Sequence, residues 1–123
     1  MSKKQTGDVS TTAERAAKHD SLMPLLTAMF REFQEFTKKK PEGVLSKNKV
    51  KIVNRLLTDI LTIVQDEASR PFLDLLDEDD LPQNSDVLLM LGQFVAAMQG
   101  FHEKYWRRDP VTYEDRWWVT QGK

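Results

Sequence analysis

The chain has 123 residues, 40% of them hydrophobic and 30% charged, with a formal net charge of −1 at pH 7, which is the balance of one globular domain with its own core. The absence of cysteine excludes disulfides, thiolate nucleophiles and cysteine-based metal sites. No stretch reaches the roughly 18 consecutive apolar residues of a membrane span, and residues 1–9 lack the apolar run of a secretory signal, so we expect a cytoplasmic protein without a membrane segment.

The first helical signal lies close to the start of the chain. Residues 1–10 are polar and predict a disordered tail. Thr11 and Glu14 have the spacing of a capping box, which predicts a short first helix over residues 12–19.

A second helix is predicted to start directly afterwards, capped by Asp20 or Ser21. Pro24 would then fall in its first turn, where a missing N–H removes no hydrogen bond. Apolar residues recur at steps of three and four as far as Phe36, which predicts one buried face and an end near Lys39.

A third helix is predicted after a turn at residues 40–43, which contain both proline and glycine. Ser46 is the expected cap of a helix that runs through Gln65, with apolar residues at helical spacing as far as Val64. The run is rich in β-branched residues, but its length favours a helix over a strand.

The last part of the chain contains one short and one long predicted helix. The short helix covers residues 72–76, and the long one covers residues 86 to about 107, capped by Asn84 or Ser85. The long helix is apolar nearly all round, which indicates a central position. Residues 111–123 are expected to be irregular.

These elements predict an all-α protein, an antiparallel helical bundle of three long and one or two short helices with an aromatic C-terminal extension. The expected organisation is a tail at residues 1–10, a bundle domain at residues 11–109 and the extension at residues 110–123.

No motif for catalysis or cofactor binding is complete. His102 and Glu103 begin like a helical zinc-protease motif, but Trp106 stands where the second histidine belongs. The acidic residues 77–80 do not continue as a calcium loop, because Pro82 occupies the position of the turn glycine. We therefore expect no enzyme, no catalytic residue, no cofactor, no metal and no small-molecule substrate.

Charge is distributed unevenly between the two halves of the chain. Residues 1–62 contain 12 Lys and Arg against 7 Asp and Glu, and residues 63–123 contain 6 against 12. Six lysines form a basic patch, for which a solvated surface, nucleic-acid binding and an acidic protein partner all remain open. The basic patch consists of Lys38, Lys39, Lys40, Lys47, Lys49 and Lys51.

Aromatic residues and arginines are concentrated near the C-terminus. These residue types dominate the energetics of protein interfaces, and exposing several aromatic side chains would be unfavourable. Two interpretations are open: the segment covers its own bundle, or it anchors a partner. The candidate partner-binding residues are Tyr105, Trp106, Arg107, Arg108, Tyr113, Arg116, Trp117 and Trp118.

The sequence therefore favours a non-enzymatic protein–protein interaction module or a small subunit of a larger assembly. It would bind a protein partner, or itself, through the C-terminal segment and the charged ends of the bundle. Head-to-tail pairing of the basic patch with the acidic residues 66–80 is one such mode. The alternative is a nucleic-acid-associated accessory protein that uses the basic patch.

Overall fold

The computed structural model describes residues 9–120. Within them the chain forms three α-helices, a short 3₁₀ turn and one two-stranded sheet. The prediction of a mainly helical protein is confirmed, whereas the small sheet was not predicted. The helices are α1 (Ala13–Lys39), α2 (Lys47–Val64) and α3 (Asn84–Tyr105), and the strands are β1 (Trp106–Arg108) and β2 (Asp115–Trp117).

α1 is one continuous helix, so the predicted break between residues 12–19 and a second helix is wrong. Its N-cap is Thr12, whose side chain accepts a hydrogen bond from the Arg15 N–H. Pro24 lies inside the helix and not in a first turn, where it removes one backbone hydrogen bond. The helix continues because one buried face runs past the proline on both sides, through Ala16, His19, Leu26 and Phe33.

α2 begins as predicted and ends one residue before the predicted end. The Ser46 side chain caps it by accepting from the Lys49 N–H at 3.2 Å, and Gln65 follows its last residue. Its core face is fully apolar apart from Asn54 and consists of Val50, Val53, Leu57, Ile60, Ile63 and Val64.

The prediction of a short helix over residues 72–76 is wrong. Only a 3₁₀ turn forms, at Arg70–Phe72, and Phe72 itself is exposed. Leu73 and Leu76 are both buried, and an irregular backbone allows both to reach the core. The side chain of Asn54 replaces the missing helical bonds, since it donates to the Leu76 carbonyl at 2.9 Å and accepts from the Leu76 N–H at 2.8 Å.

α3 starts two residues earlier than predicted and ends at Tyr105 instead of near residue 107. Its N-cap is Gln83, whose N–H donates to the carboxylate of Asp86 at 3.1 Å. The helix ends because the next residue, Trp106, pairs with Trp117 in the sheet. The buried residues of α3 include Val87, Leu91, Phe94, Met98 and Phe101.

The prediction of irregular structure over residues 111–123 is wrong for β2, which pairs antiparallel with β1. The register aligns Arg107 with Arg116, so the hairpin crosses the predicted boundary between residues 109 and 110. Beyond β2, the Thr120 N–H donates to the Thr11 carbonyl at 2.7 Å, which brings the two ends of the described chain together. Residues 1–8 of the predicted tail and residues 121–123 of the extension lie outside the described residues.

α1 packs against both α2 and α3. At one end of α1, Arg15 forms an ion pair with Asp66, which follows α2. At the other end, the ammonium group of Lys49 lies 5.8 Å from the centre of the Phe36 ring. α1 and α2 therefore run in opposite directions. None of the helices within residues 9–120 has both the length and the apolar character needed to cross a bilayer.

The Asn54 contacts generate a stability prediction. Asn54→Ala removes two hydrogen bonds and leaves the buried N–H and C=O of Leu76 without partners. We expect the free energy of unfolding to fall by about 2–4 kcal/mol, as measured by urea denaturation. Asn48→Ala, at an exposed position of the same helix, is the control and should change it by less than about 0.5 kcal/mol. Equal effects of the two substitutions would contradict this role of Asn54.

Candidate functional site

The C-terminal hairpin is fixed to the helices by Trp117. Its ring lies 5.1 Å from that of His19, in an edge-to-face arrangement, and 5.8 Å from that of Phe101. The indole N–H donates to the carboxylate of Asp20 at 3.0 Å. Burying the ring while giving its N–H an acceptor is the usual requirement for a tryptophan in a protein interior. Trp117 therefore faces inward and joins the last strand to the first helix.

Trp106 lies between the interior and the surface. Its ring stacks on His102 at 4.9 Å and meets the edge of Trp117 at 5.6 Å. The residue is still 37% exposed. Trp106 thus covers the inner aromatic residues and presents its outer face to solvent.

Tyr105 belongs to the core. It is 6% exposed, and its hydroxyl donates to Glu67 at 2.8 Å. Lys104 binds the other oxygen of the same carboxylate at 3.2 Å. Burial raises the pKa of Tyr105, and the hydrogen bond to Glu67 acts in the same direction. This residue connects α3 to the segment after α2 and is not available to a partner.

The loop of the hairpin, residues 109–114, is organised by Asp109. One carboxylate oxygen accepts from the N–H groups of Val111 and Thr112, at 2.8 and 3.3 Å, and the other accepts from Arg116 at 2.9 Å. The Val111 N–H, followed by the Arg116 guanidinium, lowers the pKa of Asp109. This loop therefore has a defined shape although it is exposed.

The remaining candidate residues lie on both faces of the hairpin, with Arg107 and Arg116 on one face of the two strands and Arg108 on the other. Arg108 pairs with Asp115, and Arg116 lies over the Trp118 ring at 5.0 Å. Tyr113 is 72% exposed and has a φ of +64°. Thus all eight predicted residues lie in one hairpin or beside it, but Tyr105 and Trp117 face the core.

All six lysines of the basic patch are exposed. Lys38 pairs with Glu35, and Lys47 lies 3.9 Å from Asp79 of the same chain, so part of the patch meets acidic residues within the molecule. Phe36, which the sequence did not assign to the patch, is 40% exposed beside Lys49. A groove of about 280 Å³ lies next to them.

His19 is the buried titratable group nearest to the hairpin. Its Nε2 lies 2.8 Å from the Met98 carbonyl, which can only accept, so Nε2 carries the hydrogen. Its Nδ1 is buried and has no partner among residues 9–120. Burial lowers the pKa of His19, as does nearby His102, against the opposing effects of the Met98 carbonyl and Asp20. The folded protein thus favours neutral His19.

A shallow groove of about 530 Å³ runs past His19, Asp20, Arg31 and His102. Among residues 9–120, no group of three or more His, Asp or Glu side chains is arranged to hold a metal ion. The groove is lined by these four titratable side chains together with Met23, Pro24, Thr27 and Ala28.

Sequence reasoning identified the C-terminal cluster but missed His19, Asp20 and Asp109. The contact between Asp20 and Trp117 joins residues 97 positions apart, and no local pattern indicates it. For Asp109 a local signal was present, because an aspartate before a proline favours the start of a turn.

Comparisons of the chain with protein-family models, with curated proteins and with solved structures found no match.

The environment of His19 generates a prediction about pH. Below about pH 6.5, the ordinary pKa of histidine, the unfolded chain takes up a proton that the folded protein resists. The unfolded state then binds more protons, so the free energy of unfolding falls as the pH falls through this range. Chemical denaturation between about pH 7.5 and 5.5 should show this decrease.

His19→Gln is the matched variant, because a glutamine amide can still donate to the Met98 carbonyl but does not titrate. Its free energy of unfolding should depend less on pH over the same range. An identical pH dependence in the two proteins would mean that His19 is not the group responsible.

Proposed function

We propose that this protein is a non-enzymatic protein–protein interaction module, or a small subunit of a larger assembly. Its contact surface is formed by the exposed residues of the C-terminal hairpin, and an antiparallel helical bundle serves as the scaffold. The observation that carries the proposal is Tyr113, a large side chain that is 72% exposed at a backbone position with positive φ.

A tyrosine at positive φ has a steric cost, which glycine or asparagine largely avoids. Nothing in the hairpin offsets this cost through burial, because the Tyr113 side chain points to solvent. Local stability would therefore favour a different residue at this position. Strained positions of this kind are often found where a side chain serves binding.

Other residues of the hairpin suit a protein contact. Val111 in the same loop is 81% exposed and Trp106 on β1 is 37% exposed. Arg107, which is half-buried, and Arg108, which pairs with Asp115, add guanidinium groups on β1. Tryptophan, tyrosine and arginine are the residue types that most often contribute strongly to interface affinity.

The hairpin is also well ordered before any partner arrives. Asp109 holds the loop through two backbone N–H groups and Arg116, and Trp117 fixes the second strand to α1. A rigid surface loses less conformational entropy on binding than a mobile one. This arrangement supports a preformed binding surface.

We expect the substitution Tyr113→Asn to change the stability of the protein and its binding to partners in opposite directions. Asparagine tolerates positive φ, so the free energy of unfolding should rise by about 1 kcal/mol, as measured by urea denaturation. The same substitution should reduce the capture of partner proteins from the native organism by about tenfold or more. Capture is measured by affinity purification and quantitative mass spectrometry, with and without nuclease.

Leu89→Asn is the control, because Leu89 is 69% exposed on α3 and lies outside the hairpin. It should leave the captured proteins unchanged. If Tyr113→Asn captured the same proteins in the same amounts as the wild type, the hairpin would not be the contact surface.

A second candidate function, association with nucleic acid, is supported by Phe36. Single-stranded nucleic acids bind where lysines neutralise phosphates and an aromatic ring stacks on a base. Phe36 provides an exposed ring beside Lys49. The nuclease arm of the same experiment distinguishes the two functions, since material lost on nuclease treatment would support this second one.

A further inference from the structure

An apolar groove follows the line where α1 and α2 meet. Its wider part has a volume of about 390 Å³ and its narrower part about 170 Å³, and the two parts share Met29, Glu32 and Ile52. Several of the large side chains in it remain exposed, with Leu25 at 56%, Ile52 at 45% and Phe36 at 40%. The narrow end of the groove shares Phe36 and Lys49 with the candidate nucleic-acid surface, whereas the rest of its lining belongs neither to the basic patch nor to the hairpin.

On the α2 side of the groove, part of the lining is spaced symmetrically along the helix. Four of its six groove residues are a base, two apolar residues and an acid at spacings of three, four and three: Lys49, Ile52, Leu56 and Asp59. The other two, Val53 and Arg55, lie on either side of the centre of this series. This order is symmetric about residue 54, with opposite charges at its two ends.

The α1 side has the same symmetry. Five of its seven groove residues are apolar and lie at spacings of three, four, four and three that centre on Met29: Leu22, Leu25, Met29, Phe33 and Phe36. The other two are Ala28 and Glu32. Phe36 lies beside Lys49, and Lys18 donates to Thr62. Because both helices rise equally per residue and run in opposite directions, the first contact places Met29 level with residue 56 and the second places it level with residue 51, with the midpoint near residue 54. The two centres of symmetry therefore lie within about one helical turn of each other.

The geometry points to a second copy of this chain as the occupant of the groove. A two-fold axis that crosses both helices at Met29 and residue 54 would place α1 antiparallel on α1 and α2 antiparallel on α2. Lys49 of each chain then faces Asp59 of the second copy, and Ile52 faces Leu56 of the second copy. Such an interface is isologous, so each favourable contact occurs twice.

The charges at the groove favour a second copy over an unrelated partner. Lys49 and Arg55 balance Glu32 and Asp59, and none of these four residues forms an ion pair with another residue of the described chain. A strongly acidic or strongly basic partner would gain little from a groove whose positive and negative charges cancel. A second copy in the reversed orientation instead places acidic residues opposite basic ones. The apolar residues supply the affinity, and the charges fix the direction of packing.

A charge exchange tests this interface. Wild-type protein should show a concentration-dependent dimer in sedimentation equilibrium. Lys49→Asp and Asp59→Lys each place like charges opposite each other twice, so each should weaken the dimer about tenfold or more. An equimolar mixture of the two single variants should dimerise again, because both contacts are then between opposite charges. The double variant should also dimerise.

Lys51→Asp is the matched control, since it makes the same change of charge on the same helix, outside the groove. It should dimerise like the wild type, and thermal melts followed by circular dichroism establish that every variant folds. Tyr113→Asn should also dimerise normally, which separates this test from that of the hairpin.

Wild-type protein that stays monomeric at about 1 mM would overturn the inference. So would a dimer that the single charge changes leave intact, or single variants that fail to associate when mixed. A wild-type monomer that instead binds a different protein at Ile52 would assign the groove to another occupant and overturn it equally.

Discussion

The contact between Trp117 and α1 determines the rest of the arrangement at the C-terminus. A two-stranded hairpin alone is at best marginally stable in water, and the strands here have three residues each. Trp117 gives the hairpin a core by packing on His19 and Phe101 and by donating to Asp20. The order of the loop that carries Tyr113, and with it the proposed interaction surface, depends on this one half-buried ring and its hydrogen bond.

Buried polar groups define the irregular parts of the structure in a similar way. Asn54 holds the extended segment at Leu76, and Glu67 receives both Tyr105 and Lys104. Asn54 satisfies backbone groups that a helix would otherwise pair, so this segment can be irregular and still cover the core. Glu67 connects the segment after α2 to α3 through side-chain contacts alone. The molecule then presents the hairpin at the end of α3, the basic patch where α1 passes to α2, and the apolar groove along α1 and α2, which meets the basic patch at Lys49.

The sequence predicts the helices well where burial follows one helical face, as it does in α2. It fails where distant contacts override a local signal. Pro24 indicated a helix start, but a face buried from Ala16 to Phe33 continues through it. The hairpin has no short glycine turn to reveal it, and its loop depends on the Asp109 side chain instead. The clustering of aromatic residues in the sequence identified the C-terminal segment. That Trp117 faces inward while Tyr113 faces outward depends on contacts with residues as far as 97 positions away in the sequence.

The most direct test of this account is the hydrogen exchange of the Trp117 indole N–H and the Trp118 backbone N–H, measured by NMR. The first donates to Asp20 and the second to the Tyr105 carbonyl at 2.6 Å. If the hairpin is part of the folded core, both should be protected to an extent similar to the buried amides of α3. Exchange of both at the rate of an unstructured peptide, while the α3 amides remain protected, would show that the hairpin is not docked and would contradict the central claim.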